Sequence, residues 1–143
     1  MIVKQLSIFL ENKAGRLAEV TGLLAKSKIN IRALSLADSA DFGVLRLIVN
    51  NAAAGVSCLK KAGMVVQATD VIAVEIPDTP GGLSSVVKHF DRGRINIEYM
   101  YAFVEKIEDR AIVIFKVENP AGAVKILNKA GVCLVRSRAL KGL

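Results

Sequence analysis

Two short turns carry the residues of this chain that are best suited to hold a ligand. Glu11–Leu17 reads Glu-Asn-Lys-Ala-Gly-Arg-Leu, and Pro77–Leu83, 66 residues further on (77 minus 11), reads Pro-Asp-Thr-Pro-Gly-Gly-Leu. Each turn lies between an alternating apolar run and a helical apolar pattern, so each is predicted to lead from a strand into a helix. The first N–H groups of a helix lack intrahelical partners and favour a carboxylate. The sequence therefore predicts anion-binding chemistry at these turns.

Glycine and asparagine residues strengthen this prediction. Gly15 and Gly81 lack the Cβ atom that would keep a ligand away from the backbone amides. Asn12, Asn30 and Asn96 can each donate and accept hydrogen bonds, so each can hold one end of a zwitterion. Two structural explanations stay open beside this one. The glycines permit a tight turn, and Asn30 and Asn96 end the preceding helices in a left-handed conformation.

Residues that carry out catalysis or bind metals are few. The chain has one histidine, His89, and two cysteines, Cys58 and Cys133, one in each half and without a CxxC pair. Neither a zinc site nor a disulfide framework is expected from them. Acid–base or nucleophilic catalysis needs convergent reactive groups, and the carboxylates here are scattered along the chain. We therefore expect a protein that is not an enzyme and that uses no metal or cofactor.

Composition narrows the setting further. The chain has 143 residues, of which 52% are hydrophobic, and a net charge of +7. Residues 1–70 carry 9 basic and 5 acidic side chains and residues 71–143 carry 11 and 8, so the positive charge is spread widely and nucleic acid is not the expected partner. No apolar run approaches the roughly 20 residues of a membrane span. The first residues lack the layout of a signal peptide, so we expect a cytoplasmic protein.

The elements that position the two turns repeat in the same order. Each half reads strand, helix, strand, strand, helix, strand, and the last strand of the second half is expected at Val132–Val135. This is the order of the ferredoxin-like βαββαβ unit, an antiparallel four-stranded sheet with both helices on one face. We predict an α+β protein of two tandem units, residues 1–70 and 71–143. The junction Ala68–Val71 contains no Gly or Pro, which favours a fixed pair over a flexible tether.

The sheet of each unit is expected to have one bare face. On that face we place Phe9, Leu34, Leu36 and Ile48, which are apolar and need cover. A unit of about 70 residues is also marginal by itself. These two observations predict that the chain forms a homodimer.

The repeated segments resemble the signature of the ACT domain, a small ferredoxin-like module that binds amino acids and regulates amino-acid metabolism. The segments that carry the resemblance are Asn12–Leu17, Leu24–Ala25, Ile29–Ile31, Asp78–Leu83 and Ile95–Ile97. Two copies cover nearly the whole chain and leave no room for a catalytic domain, as in free-standing tandem ACT proteins. The resemblance implies an amino acid as ligand and a metabolic enzyme as the regulated partner.

The resemblance also implies a set of site residues. In the family, the Asn of the turn and the Asn that starts the second strand contact the ligand across paired domains. Those roles fall on Asn12 with Asn30 and on Asp78 with Asn96. The implied set is Asn12, Ala14, Gly15, Arg16, Leu17, Asn30 and Ile31 in the first copy, and Asp78, Pro80, Gly81, Gly82, Leu83, Asn96 and Ile97 in the second.

The two copies depart from each other within that set. Ala14 stands where the family usually has Pro, and Asp78 stands where the first copy has Asn. Asn12 can serve either end of a zwitterion and Arg16 adds a partner for a carboxylate, so we predict the stronger ligand contact at the first turn.

A ferredoxin-like RNA-binding module is the alternative function. Such modules stack bases on aromatic side chains of the central strands. Only Phe9 and Phe115 come close to those positions here, and the consensus motif around them is missing. Tyr99 and Tyr101 share one face of a strand, where packing is expected rather than stacking on a ligand.

Overall fold

A computed structural model describes residues 1–38, 41–103 and 108–141 of the chain. These residues form two compact units. The first is built on Lys4–Thr69 and the second on Asp70–Ala139; Met1–Val3 cluster with the second unit, and Leu140 and Lys141 with the first. No helix among the described residues is both long and apolar enough to cross a membrane.

The first unit is an antiparallel sheet with two helices on one face. Its elements are β1 (Ile2–Glu11), α1 (Arg16–Lys26), β2 (Ile31–Asp38), β3 (Phe42–Val49), α2 (Ala52–Lys61) and the start of β4 (Val65–Pro77). β3 pairs with both β1 and β2, with Leu10 opposite Gly43 and Leu36 opposite Leu45. Alternate residues of the strands pack against Val20 and Leu24 of α1 and Leu59 of α2 in one apolar core. The apolar residues that alternate with period two in the sequence are the ones on this core-facing side of the sheet.

The second unit repeats this arrangement. Its elements are β4 from Asp70 onward, α3 (Gly82–Arg92), β5 (Ile97–Ala102), β6 (Arg110–Val117), α4 (Pro120–Lys129) and the short α5 (Ser137–Lys141). β6 pairs antiparallel with β4 and β5. Phe90 of α3 and Phe115 of β6 lie at the centre of its core, with their rings 5.0 Å apart. The predicted α+β, tandem ferredoxin-like fold is confirmed.

The end of the chain differs from the prediction. The strand expected at Val132–Val135 is reduced to one isolated bridge between Val74 and Leu134. Two backbone bonds support it: the Glu75 N–H donates to the Cys133 carbonyl (2.9 Å) and the Val135 N–H to the Ala73 carbonyl (2.8 Å). The following residues enter α5, a helix that the periodicity did not predict, and so the pairing stops there.

Helix ends are set by short-range signals. Asn51 and Asn119 cap α2 and α4, because each side-chain oxygen accepts an N–H from three residues further on, at 3.1 and 3.0 Å. After α1 and α3, the residues in the left-handed region are Lys28 (φ 58°) and Arg94 (φ 54°). Asn30 and Asn96 do not adopt that conformation, so the explanation of these asparagines as left-handed helix ends is wrong.

One face of the first sheet also differs from the prediction. Leu34 and Leu36 lie opposite Leu47 and Leu45, which belong to the helix-side core. The pairing shifts between Ile31 and Ala33, so a bulge moves the following side chains to the other face. Ile48 is on the helix-free face as expected, but it is buried. That face is therefore not bare along its whole length.

Candidate functional site

The backbone of the two turns is the same. Gly15 and Gly81 immediately precede α1 and α3 and have φ angles of 90° and 85°, which side-chain-bearing residues rarely adopt. A Cβ atom added at either glycine would meet nothing within 4 Å. The turn conformation, rather than a close approach of other atoms, requires these glycines, which supports the tight-turn explanation.

Backbone hydrogen bonds tie each turn to the loop between the second and third strands of its unit. The Asn12 N–H donates to the Asp41 carbonyl (3.0 Å), and the Asp78 N–H donates to the Asp109 carbonyl (2.8 Å). Within the second turn, the Gly82 N–H donates to the Thr79 carbonyl (3.0 Å). In the first turn the matching bond, from Arg16 to Lys13, is longer at 3.4 Å. The first turn has a further bond, from the Lys13 N–H to the Glu11 carbonyl (2.9 Å).

A cavity of about 320 Å³, here called the turn cavity, lies beside the first turn. Its lining consists of Leu10, Glu11, Asn12, Lys13, Arg16, Leu17, Leu36 and Gly43. It brings together three predicted site residues, Asn12, Arg16 and Leu17. Leu10 and Gly43 lie opposite each other on β1 and β3. The turn cavity therefore borders the core-facing side of the sheet.

Both signs of charge meet at the turn cavity. The Arg16 guanidinium donates to the Glu19 carboxylate at 2.9 Å and lies 3.6 Å from Glu11, and Lys13 lies 3.4 Å from Glu11. Glu19 and Glu11 raise the pKa of Arg16, whose guanidinium, like that of any arginine, is charged in the physiological range. These ion pairs are largely solvent-exposed, and such pairs contribute little stability. The site can therefore present a cation to a carboxylate and a carboxylate to an ammonium group.

The second turn has no matching set of charges. Strand register fixes the correspondence, because Ile76 lies opposite Ala111 just as Leu10 lies opposite Gly43. At the positions of Glu11, Lys13 and Arg16 the second unit has Pro77, Thr79 and Gly82. Gly82 is also sterically confined, since a Cβ there would lie 2.0 Å from the Pro77 carbonyl oxygen.

A smaller cavity of about 240 Å³ lies near the second turn. It is lined by Glu75, Pro77, Ser85, Val86, Arg110, Gly131, Val132 and Cys133. Within the part of the chain that the structure describes, this lining does not include the predicted site residues Asp78, Pro80, Gly81, Gly82 or Leu83. Partial burial and the neighbouring Glu75 carboxylate raise the pKa of the Cys133 thiol, while Arg110 acts in the opposite direction.

The asparagines at the second strands are not brought to these cavities. The Asn30 N–H donates to the Asn50 side-chain oxygen (3.0 Å), and the Asn50 N–H donates back to the Asn30 carbonyl (3.1 Å). This exchange holds the start of β2 against the end of β3. Asn96 is exposed, as are Ala14 and Pro80 in the turns, whereas Ile31 and Ile97 pack against the cores of their own units. The role of Asn30 and Asn96 across paired domains stays a prediction.

Sequence reasoning missed five residues of the turn cavity. Glu11 and Lys13 adjoin Asn12 in the repeated turn, so their charge was a signal that could have found them. Leu10, Leu36 and Gly43 come from three different strands and are identified only through strand register. Among the described residues, no group of three or more His, Cys, Asp or Glu is arranged to hold a metal ion.

Comparisons with known proteins agree with this fold and repeat. The sequence matches no curated protein. The crystal structure of a protein from Bacteroides thetaiotaomicron is 40% identical, with a TM-score of 0.94, and the match covers 100% of this chain and 98% of that one. The ligand-free regulatory subunit of aspartate kinase from Thermus thermophilus is 16% identical with a TM-score of 0.65, covering 91% and 97%. The corresponding subunit from Thermus flavus is 17% identical with a TM-score of 0.61, covering 92% and 95%. At these low identities the two kinase subunits share the fold alone.

The match to a family model settles the family. The model described as an ACT domain pair matches residues 1–142. It spans both turns and both sets of strands and helices, and it confirms the resemblance read from the repeated segments. The chain belongs to the ACT domain pair family.

Proposed function

We propose that this protein is a non-catalytic regulator that binds a small amino acid at paired ACT domains and controls a metabolic enzyme. The observation that carries the proposal is the turn cavity, whose lining includes Arg16, Lys13, Glu11 and Asn12. Ligand pockets generally measure about 300–1,000 Å³, so a cavity of about 320 Å³ suits a small ligand. The ligand carboxylate pairs with Arg16 or Lys13, and its ammonium group with Glu11.

The regulatory part of the proposal is supported by fold-level analogy. Solved structures with this fold include regulatory subunits of aspartate kinase. Fold alone does not define a function, so the partner enzyme is proposed only as a class. We propose that residues 1–70 and 71–143 are the two ACT domains and that the protein is located in the cytoplasm.

A thermal-shift screen of the full chain against the proteinogenic amino acids tests ligand binding. A ligand that binds only the folded state raises stability by about 2.7 kcal/mol at about 100 times its dissociation constant. One or a few amino acids are expected to raise the melting temperature. If no amino acid changes it at millimolar concentration, the proposed function is wrong.

Calorimetric titration of two matched variants tests the position of the site. Asn12→Ala is expected to weaken binding by about 1–2 kcal/mol, the scale of a lost hydrogen bond to a charged group. Asp78→Ala at the corresponding position of the second turn is the control and is expected to have the smaller effect. The opposite order of effects would place the ligand at the second turn.

Self-association as a homodimer is part of the same proposal. Phe9, Phe42 and Val65 form an apolar cluster around a second cavity of the first unit, of about 290 Å³, and Phe42 is 57% exposed. The corresponding positions of the second unit hold Glu75, Arg110 and Cys133. The fold therefore does not require apolar residues at these positions, and contiguous exposed apolar surface commonly marks an interface.

Light scattering distinguishes a dimer from a monomer. We expect a dimer for the unaltered chain and a shift toward monomer for Phe42→Arg, which introduces the residue type of Arg110. A monomeric unaltered chain at high micromolar concentration would contradict the proposal.

The RNA-binding alternative receives no support from the helix-free faces. Stacking requires exposed aromatic side chains on the central strands. Gln5, Ser7 and Ile48 on this face of the first unit are buried, as are Ile112 and Ile114 in the second. Phe9 is exposed, but it belongs to the apolar cluster with Phe42 and Val65 and not to a sheet face with several exposed aromatic side chains on which RNA bases could stack.

A further inference from the structure

We infer that the amino acid held by the turn cavity has an apolar side chain, and that the first unit alone binds it, with one ligand per chain. This inference rests on the proposed function, since it assigns the side-chain class and the stoichiometry of the same site. It is carried by the apolar residues that line the turn cavity and by the changes at Leu36 and at the charged positions in the second unit.

Three leucines line the turn cavity together with its charged residues. Leu10 comes from the end of β1, Leu17 from the first turn of α1 and Leu36 from β2. Leu17 is 40% exposed and Leu36 is 52% exposed, although both lie on the core side of the unit. An apolar ligand side chain placed between them removes this apolar surface from water, which a polar or charged side chain cannot do favourably.

Gly43 also lines the turn cavity and contributes no side chain to it. A Cβ atom at this position would lie 3.4 Å from the Leu36 Cδ1 atom, which is ordinary van der Waals contact. The missing methyl group therefore leaves space next to Leu36 without being required by the backbone. Ala111 occupies the corresponding place in the second unit, opposite Ile76, and shows that the strand accepts a Cβ there.

The second unit keeps apolar residues at two of the three leucine positions, Ile76 and Leu83, but differs at the third and at the charged positions. Ala102, which lies opposite Val113 as Leu36 lies opposite Leu45, offers a smaller apolar wall. The charged positions Glu11, Lys13 and Arg16 are replaced by uncharged residues, as described above. The second turn therefore lacks the Leu36 side chain and the three charged residues that line the turn cavity, and we expect no second ligand there.

Isothermal titration calorimetry of the full chain tests both statements, with L-leucine, L-alanine, L-aspartate and L-lysine as probes. L-Leucine is expected to saturate at one equivalent per chain. It is expected to bind at least about 10-fold more tightly than L-alanine, because even one methylene in an apolar pocket contributes that much discrimination. L-Aspartate and L-lysine are expected to bind more weakly than L-leucine.

Two variants separate an apolar pocket from a general effect on folding. Leu36→Ser is expected to weaken L-leucine binding about 10-fold, whereas the matched control Ala102→Ser in the second unit leaves it unchanged. Gly43→Ala adds a methyl group to the lining of the turn cavity and is expected to reduce the preference for L-leucine over L-alanine. Circular dichroism verifies that each variant is folded.

The outcomes are distinct. Tightest binding of L-aspartate or L-lysine overturns the side-chain class while leaving amino-acid binding intact. Two equivalents of L-leucine per chain overturn the single-unit assignment. If none of the proteinogenic amino acids binds, the proposed function fails and this inference fails with it.

Discussion

Replacing Gly82 with alanine is expected to destabilise the protein, although alanine is the better helix former. Gly82 is the first residue of α3 and is buried. An added Cβ atom would lie 2.0 Å from the oxygen and 3.0 Å from the carbon of the Pro77 carbonyl. Both are main-chain atoms at the end of β4, so a rotamer change cannot relieve the overlap. Either the turn or the start of the helix must move.

The size of the effect follows from two opposing contributions. Overpacking typically costs about 1–3 kcal/mol, and a main-chain overlap belongs at the upper end of that range. Removing a helical glycine returns about 0.5–1 kcal/mol. We therefore expect a net loss of about 2 kcal/mol. Gly22, inside α1, is the matched control, because a Cβ there meets nothing within 4 Å and Gly22→Ala should stabilise by about 0.5–1 kcal/mol.

Urea unfolding followed by circular dichroism measures both variants. With a slope of about 1–3 kcal/mol per molar urea, a loss of 2 kcal/mol lowers the midpoint by about 1 M. The midpoint of Gly22→Ala should rise slightly. A Gly82→Ala midpoint at or above that of the unaltered protein would show that the second turn is not confined by Pro77.

Three further changes test local features of the fold. Asn119→Ala removes the 3.0 Å bond from the Gly122 N–H to the cap of α4 and should cost about 1 kcal/mol in urea unfolding; an unchanged midpoint would contradict the cap. Lys28→Gly relieves a left-handed φ of 58° and should stabilise by about 0.5 kcal/mol in the same assay, and a loss of stability would count against strain there. Burial, and to a smaller extent the Glu75 carboxylate, raise the pKa of the Cys133 thiol. Glu75→Gln should therefore lower that pKa and speed the alkylation of Cys133 by iodoacetamide at about pH 8, which mass spectrometry measures. An equal alkylation rate in the variant and the unaltered protein would exclude the effect of the carboxylate.

The fold could be predicted from the sequence because its signals are local and occur twice. Asn119 followed by Pro120 marks a helix start, and Gly63 and Gly131, with φ angles of 80° and 76°, mark the ends of α2 and α4. Neither signal depends on distant residues. The length of the strand near Leu134 was overestimated, because the apolar composition of a segment does not reveal how far its pairing with a neighbouring strand continues.

Faces of the edge strands could not be predicted in the same way. A bulge between Ile31 and Ala33 reverses the alternation, so that Leu34 and Leu36 lie on the helix side. The same shift occurs between Ile97 and Tyr99 in the second unit. A bulge depends on pairing with a neighbouring strand, and period-two counting within one strand does not detect it. Leu36 was therefore assigned to the wrong face and was missed as a wall of the turn cavity.

Comparison of the two turns separates the backbone requirement from the binding chemistry. Gly15 and Gly81 have nearly the same φ angle, and the N–H groups of Asn12 and Asp78 are tied to the neighbouring loop in the same way. These shared features are needed to start a helix after a strand whether or not a ligand is present. The charges of Glu11, Lys13 and Arg16 are absent from the second turn, and the helix forms there without them. The repeated motif thus accounts for the fold, whereas the ligand assignment depends on the residues that the repeat does not share.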